Sequence, residues 1–215
     1  MIETTYISHM GDDITVVNAA RVSFGKKSKY ECTDMVKGKY VLNKKDTKLI
    51  NYLAEHNHKS PFNHAFATFH VKAPVFVARQ LVKHEYMPWN EISRRYVDSE
   101  PEFYVPTDWR GRSLDKKQGS AGTVTVSDNG FNEIAMTEYE YLLDLGVCPE
   151  QARMVLPQSM MTEWYWSGSL YAFAKMCSLR CSYDTQVETQ QVAIEIDYTM
   201  ADLFPVSWKA LRENV

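Results

Sequence analysis

Cysteine is scarce. Four occur in 215 residues, Cys32, Cys148, Cys177 and Cys181. They are too few and too scattered to staple a small secreted domain, so a reducing cytoplasm is expected. Long apolar runs are missing too, and none approaches the ~20 residues a membrane helix needs. The opening Met1-Ile2-Glu3-Thr4-Thr5 lacks the basic region and apolar stretch of a secretory signal. Neither sign of charge dominates. Lys and Arg number 24 against 27 Asp and Glu, a formal net charge of −3, which excludes a chain that coats nucleic acid by bulk charge. Hydrophobic residues at 45% and charged residues at 24% exclude a disordered or collagen-like polymer. The sequence contains no Gly-x-Gly-x-x-Gly, no P-loop, no His-Glu-x-x-His and no Cys-x-x-Cys. A nucleotide cofactor would therefore not bind by a Rossmann motif, and a metal centre is not expected.

Aromatic residues are plentiful, with 13 Tyr, 9 Phe and 5 Trp. Such a surplus either fills a core or stacks on flat ligands. The neutral average also hides a local imbalance. Between Arg21 and Lys48, nine basic residues (Arg21, Lys26, Lys27, Lys29, Lys37, Lys39, Lys44, Lys45 and Lys48) face three acidic ones, an excess of six. That is either a solvated loop or a patch that meets phosphates or an anionic cofactor tail.

Residues 1–24 read as a strand leading into a short helix. Asp46 is placed to cap a helix carrying Leu49, Ile50, Leu53 and Ala54, and Ser60-Pro61 to force extended backbone. Alternation of Ala65, Ala67, Phe69 and Val71 predicts a half-buried strand over 65–72. Pro74 opens a predicted helix running to about Tyr86, with Val75, Ala78, Leu81 and Val82 inward. Residues 107–130 read as one long loop. Beyond it the pattern predicts helices only: Phe131–Leu145 closed by Gly146, Pro149–Leu156, Ser167–Arg180, and Asp184–Phe204 capped by Asp184. With no internal repeat and no composition break, a single α+β domain over 1–215 is expected.

The stretch from Ala78 to Tyr96 is the densest in polar groups, with Arg79, Gln80, Lys83, His84, Glu91, Ser93, Arg94 and Arg95 around a helix exit. It reads as a solvated salt-bridge face or as a binding surface, since arginine suits phosphate and glutamine reads a planar heterocycle. Arg153 fits a structural ion pair or an anion contact. Arg180 stands on an otherwise apolar helix face and needs either an anionic ligand or a buried partner such as Glu188. Five histidines fall within 56–84, at spacings that do not suit a metal. Cys177 and Cys181 share a helix face and read as core more readily than as a nucleophile.

Together these segments resemble the flavin-dependent thymidylate synthases, the ThyX family. The match runs from Ala19-Ala20-Arg21-Val22-Ser23 through His56-Asn57-His58-Lys59-Ser60-Pro61-Phe62-Asn63-His64 to the 74–96 stretch. It resumes at Lys117-Gln118-Gly119-Ser120, Ala152-Arg153-Met154-Val155-Leu156-Pro157, Leu179-Arg180 with Gln186, and Phe204-Pro205. The resemblance implies an α+β fold with a mixed or antiparallel sheet flanked by helices and a helical C-terminal half. It implies a homotetramer with shared active sites, acting on small molecules rather than on nucleic acid or membranes. The implied reaction is reductive methylation of dUMP to dTMP, with methylenetetrahydrofolate supplying the carbon, NADPH the electrons and FAD carrying the hydride.

By the same matching, Arg180 holds the N3-deprotonated uracil ring, and no cysteine acts as nucleophile. Gln80, Glu91, Ser93, Arg95 and Arg153 are implied as further dUMP ligands, with Ser93 positioned near C5 and the phosphate. His58, Ser60, Lys83, His84, Glu85, Glu91 and Lys175 are implied on the flavin side. The chain departs from the family there. Lys83-His84-Glu85 stands where the family has Arg-His-Arg, and Ser169-Leu170-Tyr171 where it has Asn-x-Arg. Lys175 replaces a further asparagine and returns one charge. A family enzyme with a repositioned cofactor tail fits this pattern. So do a folate-dependent hydroxymethyl or methyl transfer to dUMP or dCMP without flavin reduction, and a non-catalytic nucleotide-binding homologue.

Overall fold

The computed structural model describes the chain except residues 35–38, 98, 115–118 and 128–129, and the side chains at 34 and 39. Lys37 of the basic segment and Lys117-Gln118 of the matched motif lie outside the described residues. In chain order the elements begin with β1 (Glu3–Met10), α1 (Asp13–Arg21), β2 (Glu31–Asp34), β3 (Lys39–Val41), α2 (Lys44–Glu55), β4 (Phe66–Pro74), α3 (Val75–Leu81) and β5 (Trp89–Glu91). They continue with β6 (Trp109–Arg112), β7 (Ser120–Val124), α4 (Phe131–Asp144), α5 (Pro149–Ala152), β8 (Met161–Ser169), α6 (Leu170–Arg180), α7 (Val187–Leu203) and α8 (Pro205–Asn214).

An antiparallel sheet in the order β1-β4-β8-β5 forms the centre. The alternation expected over 65–72 is present in β4. Its buried Ala67, Phe69 and Val71 stand directly opposite Gly168, Trp166 and Trp164 of β8. Period-2 geometry puts these six residues on one face. That face meets α6, where Phe173 packs edge-on against Phe69 and Trp166, and Met176, Val192, Ile196 and Trp208 lie in the same core. A Cβ on Gly168 would come within 2.9 Å of Met87 and 3.1 Å of Phe173. Glycine there lets α6 close on the sheet. The aromatic surplus is thereby divided. Trp164, Trp166, Phe62, Phe69, Phe173 and Phe204 are fully buried, whereas Tyr86, Tyr96, Tyr183 and Tyr198 are exposed.

The strand-then-helix opening is borne out. Asp12 caps α1 by accepting from the Thr15 amide at 3.0 Å, and Thr15 Oγ1 accepts from the Asp12 amide at 3.2 Å. Buried Asp13 accepts from the amides of Val206 and Ser207 at 3.0 and 2.8 Å. The first turn of α1 thus supplies the anion for the N-terminus of α8. The α4 helix ends as expected, with Gly146 at φ 81°.

Several expectations are corrected. Asn43, not Asp46, caps α2, by accepting from the Asp46 amide at 2.8 Å. The Asp46 carboxylate is instead buried, taking bonds from Arg21 Nε, Ser28 and Asn43 at 2.9 Å each. Ser60-Pro61 opens a 3-10 turn over Ser60–His64 rather than extended chain. The helix after Pro74 stops at Leu81, leaving Val82 exposed and Tyr86 at φ 60°. The segment 107–130 is not one loop, because β6 and β7 pair within it. The C-terminal half is not purely helical. β8 occupies 161–169, and its apolar residues on both faces conceal the alternation. α7 begins at Val187 after Gln186, not at Asp184, and Pro205 starts a separate α8. Among the described residues, no helix is long and apolar enough to cross a membrane.

Candidate functional site

Two cavities adjoin where α3 and α6 end. Gln80 lies on the last turn of α3, and Lys83, His84 and Glu85 follow in the turn that leads to β5. Ser169 ends β8 and caps α6 by accepting from the Ala172 amide at 3.2 Å, while its hydroxyl donates to Asn63 at 2.6 Å. α6 then carries Tyr171 and Lys175 along one side and closes at Arg180. A guanidinium in a last helical turn is favoured by the carbonyl end of the helix dipole.

The first cavity, of about 570 Å³, is lined by Lys59, Lys83, Lys175, Glu85, His84 and Tyr171, among others. Three ammonium groups against one carboxylate leave it cationic. Lys59 Nζ lies 5.3 Å from the centroid of the Tyr171 ring. The second cavity, of about 440 Å³, is lined by Gln80, Gly119, Leu179, Arg180, Asp184, Thr185 and Gln186. Its floor is an amide network: Gln80 Nε2 donates to Gln186 Oε1, and Thr189 Oγ1 donates to Gln80 Oε1 at 3.3 Å. The Gln80 side chain is therefore held at both ends.

Arg180 and His84 join the cavities. Arg180 Nε donates to His84 Nε2 at 3.2 Å. Burial, then the charges of Arg180 and Lys175, lower the His84 pKa to about 4, so the imidazole is neutral and Nε2 accepts. Burial also lowers the Arg180 pKa, though an arginine stays charged. No carboxylate among the described residues lies in ion-pair range of Arg180. The alternative of a pair with Glu188 is excluded, because Arg110 holds Glu188 through two bonds of 2.7 Å. Tyr104 adds a third at 3.3 Å. Burial alone would raise the Glu188 pKa, but the hydrogen bond and charge of Arg110 outweigh it and leave the carboxyl below its usual range.

Of the sequence-derived site residues, Gln80 and Arg180 share the second cavity, and Lys83, His84, Glu85 and Lys175 share the first. The others lie elsewhere in this one chain. Glu91, on β5, accepts from Thr162 at 2.6 Å and from Trp89 Nε1 at 3.0 Å. Arg95 Nε donates to Ser93 Oγ at 3.1 Å, and its guanidinium carbon lies 4.9 Å from the Tyr96 centroid. Arg153 is exposed, and its Nε donates to the Glu150 carbonyl at 3.2 Å. His58 and Ser60 line a separate cleft with Arg21, Lys26, Lys45 and Lys48.

Sequence reasoning assigned no role to Lys59, Gln186, Thr189 or Arg110. Lys59 was findable, as the basic residue between His58 and Ser60 in the matched segment. Arg110 carries no local signal, since its partner Glu188 is 78 residues away. The five clustered histidines disperse: His56 stacks on Tyr52, His70 pairs with Glu163 at 3.0 Å, and His84 meets Arg180. The Cys177 thiol is buried and its pKa is raised by burial.

The family model described as thymidylate synthase complementing protein, Thy1, matches residues 5–206. A flavin-dependent thymidylate synthase of Thermus thermophilus is 36% identical over 214 residues, covering 97% of this chain and 75% of that one. One from Kosmotoga olearia is 38% identical over 212 residues, covering 94% and 86%. Among solved structures, the UMP/dUMP methylase PolB of Streptomyces cacaoi bound with 5-Br dUMP superimposes with a TM-score of 0.80 at 29% identity. That match covers 99% of this chain and 95% of PolB. On this combination of fold, matched length and identity, the chain belongs to the Thy1 family of flavin-dependent thymidylate synthases.

Proposed function

We propose that this protein catalyses the reductive methylation of dUMP to dTMP, taking the carbon from methylenetetrahydrofolate and the electrons from NADPH. One observation carries the reading. A cationic cavity and an amide-floored cavity share a wall made of a neutral imidazole and the guanidinium that donates to it.

The second cavity takes the pyrimidine. C5 of uracil is a weak nucleophile, and loss of the N3 proton moves negative charge onto it. The Arg180 cation, which forms no ion pair among the described residues, stabilises that anion in a partly dry site. Neutral His84 holds the guanidinium in place without cancelling its charge. Gln80, fixed by Gln186 and Thr189, presents a set amide to the base. Cytosine has no N3 proton to lose, so uracil is favoured over dCMP.

The first cavity fits FAD on its own residues. Lys59, Lys83 and Lys175 exceed Glu85 in charge, which suits a pyrophosphate, and Tyr171 offers a flat face. When bound, the flavin supplies hydride transfer. Lys59 makes up for one arginine that the family has and this chain lacks. Glu91, Ser93, Arg95 and Arg153, with His58 and Ser60, complete the sites if residues 1–215 act as one unit within a homotetramer whose copies share sites.

The test is to denature the purified protein, identify the small molecules released, and assay dUMP with methylenetetrahydrofolate and NADPH. FAD in the released fraction, NADPH oxidation and a product heavier by one CH2 are expected. A colourless protein that gains no activity with added FAD sinks the reading. A hydroxymethylated product assigns the flavin-independent alternative. Absence of NADPH oxidation with every folate and nucleotide assigns a binding module.

A further inference from the structure

A third cavity, of about 410 Å³, lies beside the β6–β7 hairpin, where Phe76, Tyr104, Trp109 and Phe131 surround Arg110 and Glu188. Gln186 lines it from one side and the second cavity from the other. Gln186 stands just before α7, and Glu188 and Thr189 lie in the first turn of that helix. The partners of the Glu188 carboxylate are donors. Arg110 gives it two bonds of 2.7 Å and Tyr104 one of 3.3 Å. After Arg110, the Gln186 side chain also helps to lower its pKa against the effect of burial. An ionised carboxylate accepts hydrogen bonds and cannot donate them. The aromatic surround keeps water from competing for it.

A side-chain amide has a donor end and an acceptor end, and turning it over exchanges them. Beside Glu188, Gln186 must turn Nε2 to the carboxylate, which leaves Oε1 for Gln80. Gln80 answers with its Nε2, and its own Oε1 takes the Thr189 hydroxyl at 3.3 Å. Thr189 is fully buried, whereas Gln186 lines the second cavity, so the Nε2 end of Gln80 is the one on the cavity side. One Nε2 hydrogen is committed to Gln186, and the second is left for a ligand. The carboxylate at the head of this path thus sets the orientation of both amides.

Arg180 alone does not select the base on binding. It donates towards N3, and cytosine N3 is an acceptor already. The two bases differ at C4, where uracil has a carbonyl acceptor and cytosine an amino donor. We propose that Glu188, acting through Gln186, is a positioning residue that keeps the N–H end of Gln80 facing C4 of the base and so selects uracil over cytosine. The same N–H stabilises the N3 anion, whose charge spreads onto O4. The inference rests on placing the pyrimidine in the second cavity, and it deepens that reading with a residue that lines the third cavity instead.

The test titrates dUMP and dCMP calorimetrically into the intact protein, beside turnover assays and urea midpoints. The wild type is expected to bind dUMP about tenfold tighter than dCMP, the effect of one donor left facing a donor. In Glu188→Gln the head of the path can donate or accept, so the amides are free to turn and the ratio is expected to fall towards parity. Gln186→Leu cuts the path but keeps the Arg110–Glu188 pair. It is expected to lose the ratio in the same way, with an unfolding midpoint close to that of the wild type. A dUMP preference that survives in Glu188→Gln overturns the positioning role, and so does one lost only in Gln186→Leu. Either result leaves the reaction reading standing. Should Glu188→Gln not fold, Gln186→Leu decides alone, retention of the preference overturning the path and its loss supporting it. A preference lost in both variants, with no turnover in the wild type, supports the positioning and refutes the reaction. A wild type that binds the two nucleotides equally, or binds neither, overturns the inference.

Discussion

Arg180 and His84 are 96 residues apart in sequence, yet the guanidinium Nε and the imidazole Nε2 are 3.2 Å apart in the wall between two cavities. The imidazole accepts because it is neutral, and it is neutral because burial and two neighbouring cations disfavour a third charge. The arginine is thus oriented without being neutralised.

Removing Arg180 tests its role. In Arg180→Ala, turnover is expected to fall by about 10²–10³, the typical loss for one preorganised transition-state donor. The fold should persist, since no buried carboxylate loses its partner. Arg180→Lys should rescue little, because an ammonium lacks the planar fork. Steady-state assays beside a urea unfolding curve separate the two effects, and near-normal turnover in the alanine variant refutes the assignment.

His84 also shapes stability against pH. Its pKa is about 4 when folded and near 6.5 when unfolded, so below ~6.5 the unfolded chain binds a proton that the folded chain does not. Its contribution is fully present above ~6.5 and is lost as pH falls towards about 4. The urea midpoint should therefore drop over that window more steeply in the wild type than in His84→Asn. Parallel curves would count against a neutral imidazole.

The β6–β7 hairpin is tied to α7 through Arg110 and buried Glu188. Arg110→Ala leaves that carboxylate without its cation and is expected to cost about 2–4 kcal/mol, at or just below the usual range for breaking a buried pair because Arg110 itself is partly exposed. Arg110→Ala combined with Glu188→Gln should recover part of the loss. Both are read from denaturant midpoints, and a change under ~0.5 kcal/mol would match an ordinary surface site instead.

The cationic cavity predicts opposite effects from two charge changes. Lys175→Glu turns three cations against one anion into two against two, and flavin affinity is expected to fall about tenfold or more. Glu85→Gln removes the lone anion and should tighten flavin binding. Flavin fluorescence titration measures both, and a shift in the same direction for the two variants would contradict the assignment.

Where local chemistry decides structure, reading the chain worked. Alternation predicts β4, Gly146 ends α4, and the matched motifs select the family. Reading failed where a partner element decides. β8 hides its alternation in the aromatic run Trp164-Tyr165-Trp166, of which only Tyr165 faces solvent, β6 and β7 exist by pairing with each other, and Asp46 is claimed by Arg21 before it can cap a helix. The candidate site divides in the same way. Residue types and order are enough to nominate Gln80, Lys83, His84, Lys175 and Arg180. Their sorting into two cavities depends on β4 and β8 pairing in register, which brings the ends of α3 and α6 together. The chain encodes a charge at each position, but a charge acts by distance and burial, and those come only from the packing of segments far apart in sequence.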